Sequence, residues 1–260
     1  MMSLLTFAGV TALLFLQGWS GADVILGRHE SKVLRACLAL PMAALTNVIL
    51  VCIYTFLHVP LTPLSLLLGN AVIAAARFGA AHRLPAPDQT GRVCVPKETL
   101  SRGKKLMLAA CAVLLLGNGA YAFSHAVLLP TFQYDSATNW TMRSRISYED
   151  RAMAFDADES RGMAKPNYPF LFHALQITAN QGQREWSDTA ANAIHFLLTL
   201  STFGAIFVLL RRLRGTFVAG VAMTVMLTIP LLALHLAQGF GDITLIQTLA
   251  LSLACLCMGI

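Results

Sequence analysis

The sequence predicts an all-α membrane protein: a polytopic bundle of about seven transmembrane helices with one long external loop that bears short amphipathic helices. The first reason is composition, since 56% of the 260 residues are hydrophobic and only 12% are charged, about half the charge of a typical soluble domain. The second reason is a series of apolar runs of about 20 residues, the length that crosses a bilayer. The third is a single polar segment, residues 131–188, which holds eight of the thirteen acidic residues.

Seven apolar runs are each predicted to form one membrane span. They lie at about Leu4–Leu26, Ala36–Leu57, Leu64–Ala81, Leu106–Leu129, Thr189–Leu210, Thr216–Ala237 and Ile243–Ile260. Pro41 and Pro230 lie inside two of the runs, which a membrane helix tolerates because neighbouring helices satisfy the freed carbonyl. The sequence stops inside the last run without a polar flank, so we expect an N-terminal fragment of a longer protein. Residues 1–105 then form a three-span region with a basic loop, and residues 106–260 form a second region that is C-terminally incomplete.

The distribution of basic residues predicts the orientation. Three basic clusters, at 28–35, 83–105 and 211–214, fall at the same end of the predicted spans, and short loops rich in Lys and Arg stay in the cytoplasm. We therefore expect a multi-pass protein of the cell (inner) membrane, with loop 83–105 cytoplasmic and segment 131–188 on the external, periplasmic face. The net charge of +6 does not indicate a nucleic-acid partner, because no basic stripe is interleaved with aromatic residues in a polar segment.

Asp135 is the first candidate for a chemical role. It lies five residues after Pro130, where the fourth span leaves the membrane, so its carboxylate is expected between water and hydrocarbon. Partial desolvation raises the basicity of a carboxylate, which suits a general base, and carboxylate oxygens also bind divalent cations. The structural alternative is a helix cap formed by Asp135 or Ser136, and the residues alone leave these interpretations open.

Arg143 and Asp242 are the next candidates. Asp135, Asn139 and Arg143 have near-helical spacing and are expected roughly on one helix face. The guanidinium of Arg143 matches phosphate oxygens, which predicts a clamp for a lipid phosphate; a surface ion pair of small energy is the alternative. Asp242 opens the last span after two glycines, and an acid there needs a cation or a helix N-terminus as its partner. By the charge rule, it shares a membrane face with Asp135.

The rest of segment 131–188 is predicted to be structural. The mixed charges of residues 149–161 are typical of a solvated helix or loop, and Phe170–Ile177 has the pattern of an amphipathic helix in the plane of the membrane interface. His173, His195 and His235 are expected to be satisfied polar residues, although ionisable groups inside spans are also typical of functional sites.

Three short motifs follow one another along the second region. They are Tyr134-Asp135 with Trp140 and Arg143, then Tyr168-Pro169-Phe170-Leu171, then Gly239-Phe240-Gly241-Asp242. Their order, spacing and shared membrane side resemble the polytopic GT-C-type glycosyltransferases, the superfamily of lipid-phosphate-sugar-dependent mannosyl- and aminoarabinosyl-transferases. The resemblance covers about Leu106–Ile260. It implies a helical membrane enzyme whose donor is a sugar on a polyprenyl-phosphate carrier.

The resemblance also implies roles for individual residues. Asp135 takes the position of the catalytic residue, which deprotonates or orients the acceptor. Arg143, Lys165 and Tyr168 are then expected to hold the donor phosphate. Asp242 is implied to bind a divalent metal ion, Mg²⁺ or Mn²⁺, or to position the donor; no other cofactor is expected. The chain departs from the family in four ways. A serine follows Asp135 where many relatives have a second acid, and Arg143 stands where relatives often have a lysine. Three extra spans precede the similar region, and the later spans with any C-terminal domain are absent.

The leading functional hypothesis is a membrane glycosyltransferase. It moves a hexosyl or pentosyl group from a polyprenyl-phosphate-linked donor to a glycan, lipid or protein acceptor at the external face. The alternative from another class is a transporter or flippase, in which Asn70, His195, Pro230 and His235 mark a path through the spans. A non-catalytic membrane scaffold is the third hypothesis. The concentration of polar residues in one external loop, away from the midplane, favours the transferase.

Overall fold

The computed structural model of the protein describes residues 2–27, 30–83, 98–129, 131, 136–163, 170–238 and 242–258. Its α-helices are α1 (Met2–Leu26), α2 (Lys32–Phe56), α3 (Pro63–Arg83), α4 (Arg102–Phe123), α5 (Met142–Glu149), α6 (Phe170–Ala179), α7 (Asp188–Thr228), α8 (Pro230–Gln238) and α9 (Asp242–Met258). Two π-helical turns, Ser124–Leu128 and Ser136–Thr141, and a 3₁₀ turn at Glu159–Arg161 complete the helical elements. Within these ranges no strand occurs, which confirms the all-α fold class.

Five helical segments are long and apolar enough to cross a membrane, by length and composition. They are Leu4–Leu26, Lys32–Phe56, Pro63–Arg83, Arg102–Leu128 and Asp188–Thr228. These segments identify a membrane protein and correspond to the first four predicted spans and to the fifth with part of the sixth. The count of seven spans is not confirmed, because α8 and α9 are shorter, and the membrane side of each loop stays a prediction.

Helix α7 shows where the predicted fifth and sixth spans meet. Its 41 residues are interrupted at Gly215, which has φ 85° and ψ 170°. Such a positive φ suits glycine because no Cβ is present to clash. The predicted single span Thr216–Ala237 is instead divided, since α7 ends at Thr228 and α8 begins at Pro230. Proline favours the first position of a helix, where its missing N–H costs no hydrogen bond.

The loop 83–105 is tied to this kink through Glu98. The Glu98 carboxylate accepts hydrogen bonds from the N–H groups of Thr216 at 2.7 Å and Phe217 at 3.4 Å. These amides open the second part of α7, so the carboxylate caps a helix start in the manner favoured by the helix dipole. The neighbouring Glu30–Arg212 ion pair joins the α1–α2 link to the same part of α7.

Close helix contacts hold α1 against α2. Gly18 of α1 lies so near the Ala39 carbonyl of α2 that a Cβ atom at position 18 would overlap that oxygen. Small residues allow this kind of approach in membrane bundles, where packing replaces the hydrophobic driving force. Helix α1 also packs against α3, while α7 packs against α2, α4 and α9. The result is a bundle in which α2 and α7 are the central helices.

Helix α6 differs from its prediction. The segment Phe170–Ile177 was expected to lie amphipathically at the membrane interface, but every residue from Phe172 to Ala179 is buried, and α6 packs against α2 and α7. One of its polar residues, Thr178, is hydrogen-bonded inside the bundle. Thr178 donates its hydroxyl hydrogen to Asn47 Oδ1 of α2 at 3.1 Å or to the Ala174 carbonyl of its own helix at 2.9 Å. Asn47 in turn exchanges amide hydrogen bonds of 3.2–3.3 Å with Asn70 of α3.

Candidate functional site

Two of the five predicted site residues lie in the part of the chain that the structure describes. These are Arg143 and Asp242. Asp135, Lys165 and Tyr168 fall outside the described residues, so their roles stay predictions.

Arg143 is fully buried on α5. Its guanidinium lies 5.1 Å from the centroid of the Phe170 ring at the start of α6, a cation–π arrangement that lowers the cost of burying the charge. Burial lowers the pKa of Arg143 from its ordinary value. The predicted α-helical spacing from Asn139 to Arg143 is not found, because Asn139 belongs to the π-helical turn Ser136–Thr141, which has a wider spacing than an α-helix. Asn139 is also buried.

Trp140 and His173 connect α5 to α6. The Trp140 indole is stacked on the His173 imidazole, with centroids 5.8 Å apart and an interplanar angle of 18°. The Phe172 ring meets the same indole edge-on at 5.8 Å. Trp140 is 1% exposed and lies at the centre of the packing between the two short helices.

Ser144 is the polar centre of this contact. Its hydroxyl lies 2.8 Å from His173 Nδ1 and 2.5 Å from Gln176 Oε1. A serine hydroxyl has one hydrogen, and Gln176 Oε1 can only accept, so the hydroxyl hydrogen belongs to that bond. His173 Nδ1 must then carry a proton and donate to Ser144 Oγ. This leaves the Nε2 lone pair of His173 as a buried acceptor without a protein partner.

Burial keeps His173 neutral. It lowers the pKa of His173 to about 3, with a further contribution from the positive charge of Arg143. The amide nitrogen of Gln176 is likewise buried without a hydrogen-bond partner. A hydrogen-bond acceptor and a donor are therefore both available around Ser144, next to a buried cation.

The start of α9 is joined to this region through His195. His195 Nε2 is hydrogen-bonded to the Thr244 hydroxyl at 3.2 Å, and its ring meets Phe172 of α6 edge-on at 4.6 Å. One turn further along, Gln247 Nε2 donates to Thr199 Oγ1 at 2.9 Å. Helix α9 thus begins beside α6, which brings Asp242 to the part of the bundle that holds segment 131–188.

Asp242 is the first residue of α9, with its side chain 50% exposed. His235 Nδ1 of α8 lies 3.9 Å from Asp242 Oδ2. The carboxylate therefore has both partners that the sequence suggested, a basic side chain and a helix N-terminus. Among the described residues no group of three His, Cys, Asp or Glu side chains is arranged to hold a metal ion. Asp242 as a metal ligand stays a prediction, and no chemical step is assigned to a metal.

An apolar cavity of about 430 Å³ runs beside α9. Its walls come from α1, α2, α6, α7 and α9, and Leu171 of α6 and Thr244 of α9 line the end nearest segment 131–188. The α9 lining runs from Thr244 to Leu256, twelve residues or about 18 Å of helix. Most of the wall is aliphatic, with Leu38, Met42 and Leu198 as examples. The cavity has the form of a groove parallel to the helices.

The acidic loop that follows α5 is solvated, as predicted. Arg161 binds Asp150 through two hydrogen bonds of 2.7 Å and binds Asp158 at 2.6 Å, all on exposed side chains. Hydrogen bonds from Ser160 and Arg161 lower the pKa of Asp158. These groups satisfy one another, so they are poorly suited to bind a ligand.

Sequence reasoning missed several buried amides in the spans. Gln17, Asn47 and Gln247 are each at most 1% exposed, and none was singled out. The sequence does indicate these residues, since a lone Asn or Gln within an apolar run needs a hydrogen-bond partner inside the bundle. The argument that polar groups avoid the middle of the bundle was therefore incomplete.

Comparisons with known proteins identify no relative: no protein-family model, curated protein or solved structure matches this chain.

Proposed function

We propose that the protein is a membrane glycosyltransferase that uses a sugar donor carried on a polyprenyl phosphate. The observation that carries the proposal is the groove of about 430 Å³ that ends at Leu171 and Thr244. A lipid carrier needs an apolar channel for its chain and a polar region for its phosphate and sugar. The groove meets both needs, because it lies along the spans and ends beside the polar segment 131–188.

The polar end of the groove supports the assignment of the reacting groups. Thr244 lines the groove and lies two residues from Asp242, and His195 links Thr244 to Phe172 of α6. In the proposed reaction, Asp135 accepts the proton of the acceptor hydroxyl as the glycosidic bond forms, and the polyprenyl phosphate leaves. Arg143, with Lys165 and Tyr168, stabilises the negative charge on that phosphate.

Substitution of Asp135 tests the chemistry. The Asp135→Asn variant should insert and fold as the wild type does but lose transfer from a polyprenyl-phosphate sugar, because an amide cannot accept the proton. The assay is release of labelled sugar to a glycan or lipid acceptor mixture by purified protein in lipid nanodiscs. Transfer at the wild-type rate by Asp135→Asn would contradict the catalytic role.

Filling the groove tests the lipid carrier separately. Leu251 lines the groove, and Leu251→Trp should raise KM for the lipid-linked donor about tenfold, equivalent to ~1.4 kcal/mol of binding. Leu249→Trp is the matched control, since Leu249 is 61% exposed on α9 and lies outside the groove lining. An equal KM in both variants would exclude the groove as the carrier site.

A transporter is the second candidate, and one observation favours it. Polar pairs link the spans at several heights, among them Asn47 with Asn70 and Thr199 with Gln247. Buried polar residues of this kind are typical of substrate paths. A transporter should lose flux in liposomes when Gln247 is changed to Leu and should keep it in Asp135→Asn. The glycosyltransferase should show the reverse order of sensitivity.

A further inference from the structure

A notch in α1 receives an arginine from α3. The side chain of Arg77 reaches Gly21, where an added Cβ atom would lie 2.9 Å from Arg77 Nη1 and 3.6 Å from its Cζ. The guanidinium therefore occupies the space that any other side chain at position 21 would fill. The sequence Gly18-Trp19-Ser20-Gly21 interrupts the first apolar run. At Gly21 it leaves space for a cationic side chain within the spans.

No acidic side chain in the described part of the chain balances the charge of Arg77. Nη1 is buried and has no hydrogen-bond acceptor, and no acidic side chain in the described ranges forms an ion pair with Arg77. The acid of α1, Asp23, is paired with Arg35 at 2.5 Å. Asp23 lies two residues from Gly21, about 200° around the helix, and so faces away from the notch.

Arg35 is an arginine of this bundle whose charge is paired, although its Nε is buried without a hydrogen-bond partner. Arg35 has an acid, Asp23, and an aromatic face, Trp19, whose ring centroid is 5.0 Å from its Cζ. Arg77 has neither among the described residues. A buried N–H of a charged group without an acceptor is costly, and an ionisable group inside a span is expected to have a partner. The missing partner must supply oxygen acceptors and negative charge.

A second polar group on the same side of α1 is also without a partner. Gln17 lies one helical turn from Gly21, is 0% exposed, and forms no hydrogen bond through either atom of its amide. The donor and acceptor of this amide extend the polar surface next to the notch. The Arg77 guanidinium at Gly21 and the amide of Gln17 thus belong to positions one helical turn apart on α1.

The position of the notch indicates where its ligand comes from. Arg77 lies six residues before the end of α3, about 9 Å from that end, and α3 ends with His82 and Arg83. Lys32 and Arg212 lie at the same end of the bundle, through the α1–α2 link and its ion pair with α7. Basic pockets between membrane helices at a basic end bind the phosphates of anionic lipids.

We propose that the Gly21 notch with Arg77 binds the phosphate of an anionic phospholipid from the leaflet at the basic end of the bundle. The phosphate oxygens accept hydrogen bonds from Arg77, and the acyl chains lie along the apolar faces of α1 and α3. This site is separate from the groove beside α9 and does not depend on the proposed transferase activity.

Lipid binding to the purified full chain tests the proposal. Native mass spectrometry with phosphatidylglycerol should detect a retained lipid, and its affinity should fall about tenfold in Arg77→Gln, the loss expected for one charge-assisted contact. Arg77→Lys should retain only part of the lipid affinity, because an ammonium group lacks the two parallel N–H donors of a guanidinium. Arg145→Gln is the control, since Arg145 is an exposed arginine of α5 that pairs with Glu149 and takes no part in the basic end. It should bind as the wild type does.

Competition with other ligands and the results for the variants define what would contradict the proposed site. Zwitterionic phosphatidylcholine should not displace phosphatidylglycerol, and inorganic phosphate should not compete at equal concentration. Equal retention of the two lipids, equal binding by Arg77→Gln and wild type, or the same loss in Arg145→Gln would overturn the proposal. Effective competition by inorganic phosphate would overturn the lipid as the source of the phosphate. Circular dichroism of each variant separates these outcomes from unfolding.

Discussion

Replacing Ser144 by alanine removes one hydroxyl and leaves two buried groups without their partner. His173 Nδ1 loses its acceptor at 2.8 Å, and Gln176 Oε1 loses its donor at 2.5 Å. Both residues are completely buried, so water cannot replace the hydroxyl. A buried polar group left unsatisfied costs about 1–3 kcal/mol, which gives ~2–6 kcal/mol for the two groups. That is a large fraction of the stability of a typical domain.

The measurement is a denaturant titration in detergent micelles, followed by tryptophan fluorescence. Trp140 reports directly, because its ring is stacked on His173. Ser160→Ala is the matched control: its hydroxyl binds Asp158 on an exposed surface, and such a change usually costs less than about 0.5 kcal/mol. A cost for Ser144→Ala no greater than for Ser160→Ala would refute the assignment of Ser144 as the polar centre.

A double substitution tests the reasoning further. Adding Gln176→Met to Ser144→Ala removes the stranded acceptor, and taking away both partners of a hydrogen bond is less costly than taking away one. The double variant should therefore recover part of the stability lost in Ser144→Ala. A double variant that is less stable than the sum of the two single losses would show that the two residues are not coupled as described.

Two further predictions concern pH and the α7 kink. The unfolded chain protonates His173 below about pH 6.5, whereas the folded chain keeps it neutral to about pH 3. The free energy of unfolding therefore decreases as the pH is lowered from about 6.5 to 3, by up to about 1.4 kcal/mol per pH unit from this group. His173→Gln should flatten the slope, while Phe172→Leu should lower stability and keep the slope; denaturant titrations at pH 4.5 and 7 measure both. Gly215→Ala should lower the melting temperature, since position 215 has φ 85° and an added Cβ would lie 2.8 Å from Glu98 Oε2. Gly103→Ala, with open space around the added atom, should not lower it; equal melting temperatures would contradict the strain argument.

The fold class was predictable because the length of each apolar run can be read from the sequence alone. The helix starts were less well predicted. Helices α2, α4 and α7 begin after the capping residues Ser31, Ser101 and Ser187, up to four residues before the apolar runs that defined the predicted spans. The capping serines were visible in the sequence, but hydropathy gives them no weight.

The candidate site was less predictable because it depends on long-range contacts. The polar face of α6 suggested water or headgroups as its surroundings, whereas the bundle supplies Ser144 and Asn47 as partners. Nothing local distinguishes a polar residue that meets water from one that meets another helix. That Asp242 shares a membrane face with segment 131–188 rests on the charge rule and stays a prediction.

The position of α6 sets an order of assembly during synthesis. Thr178 reaches Asn47 across 131 residues of chain, and α6 packs on α7, which is made after it. Helix α6 therefore cannot take its final place until α7 has entered the membrane. Long-range closure of this kind is slow, so α6 reaches its buried position later than α2 and α3, which are synthesised before it.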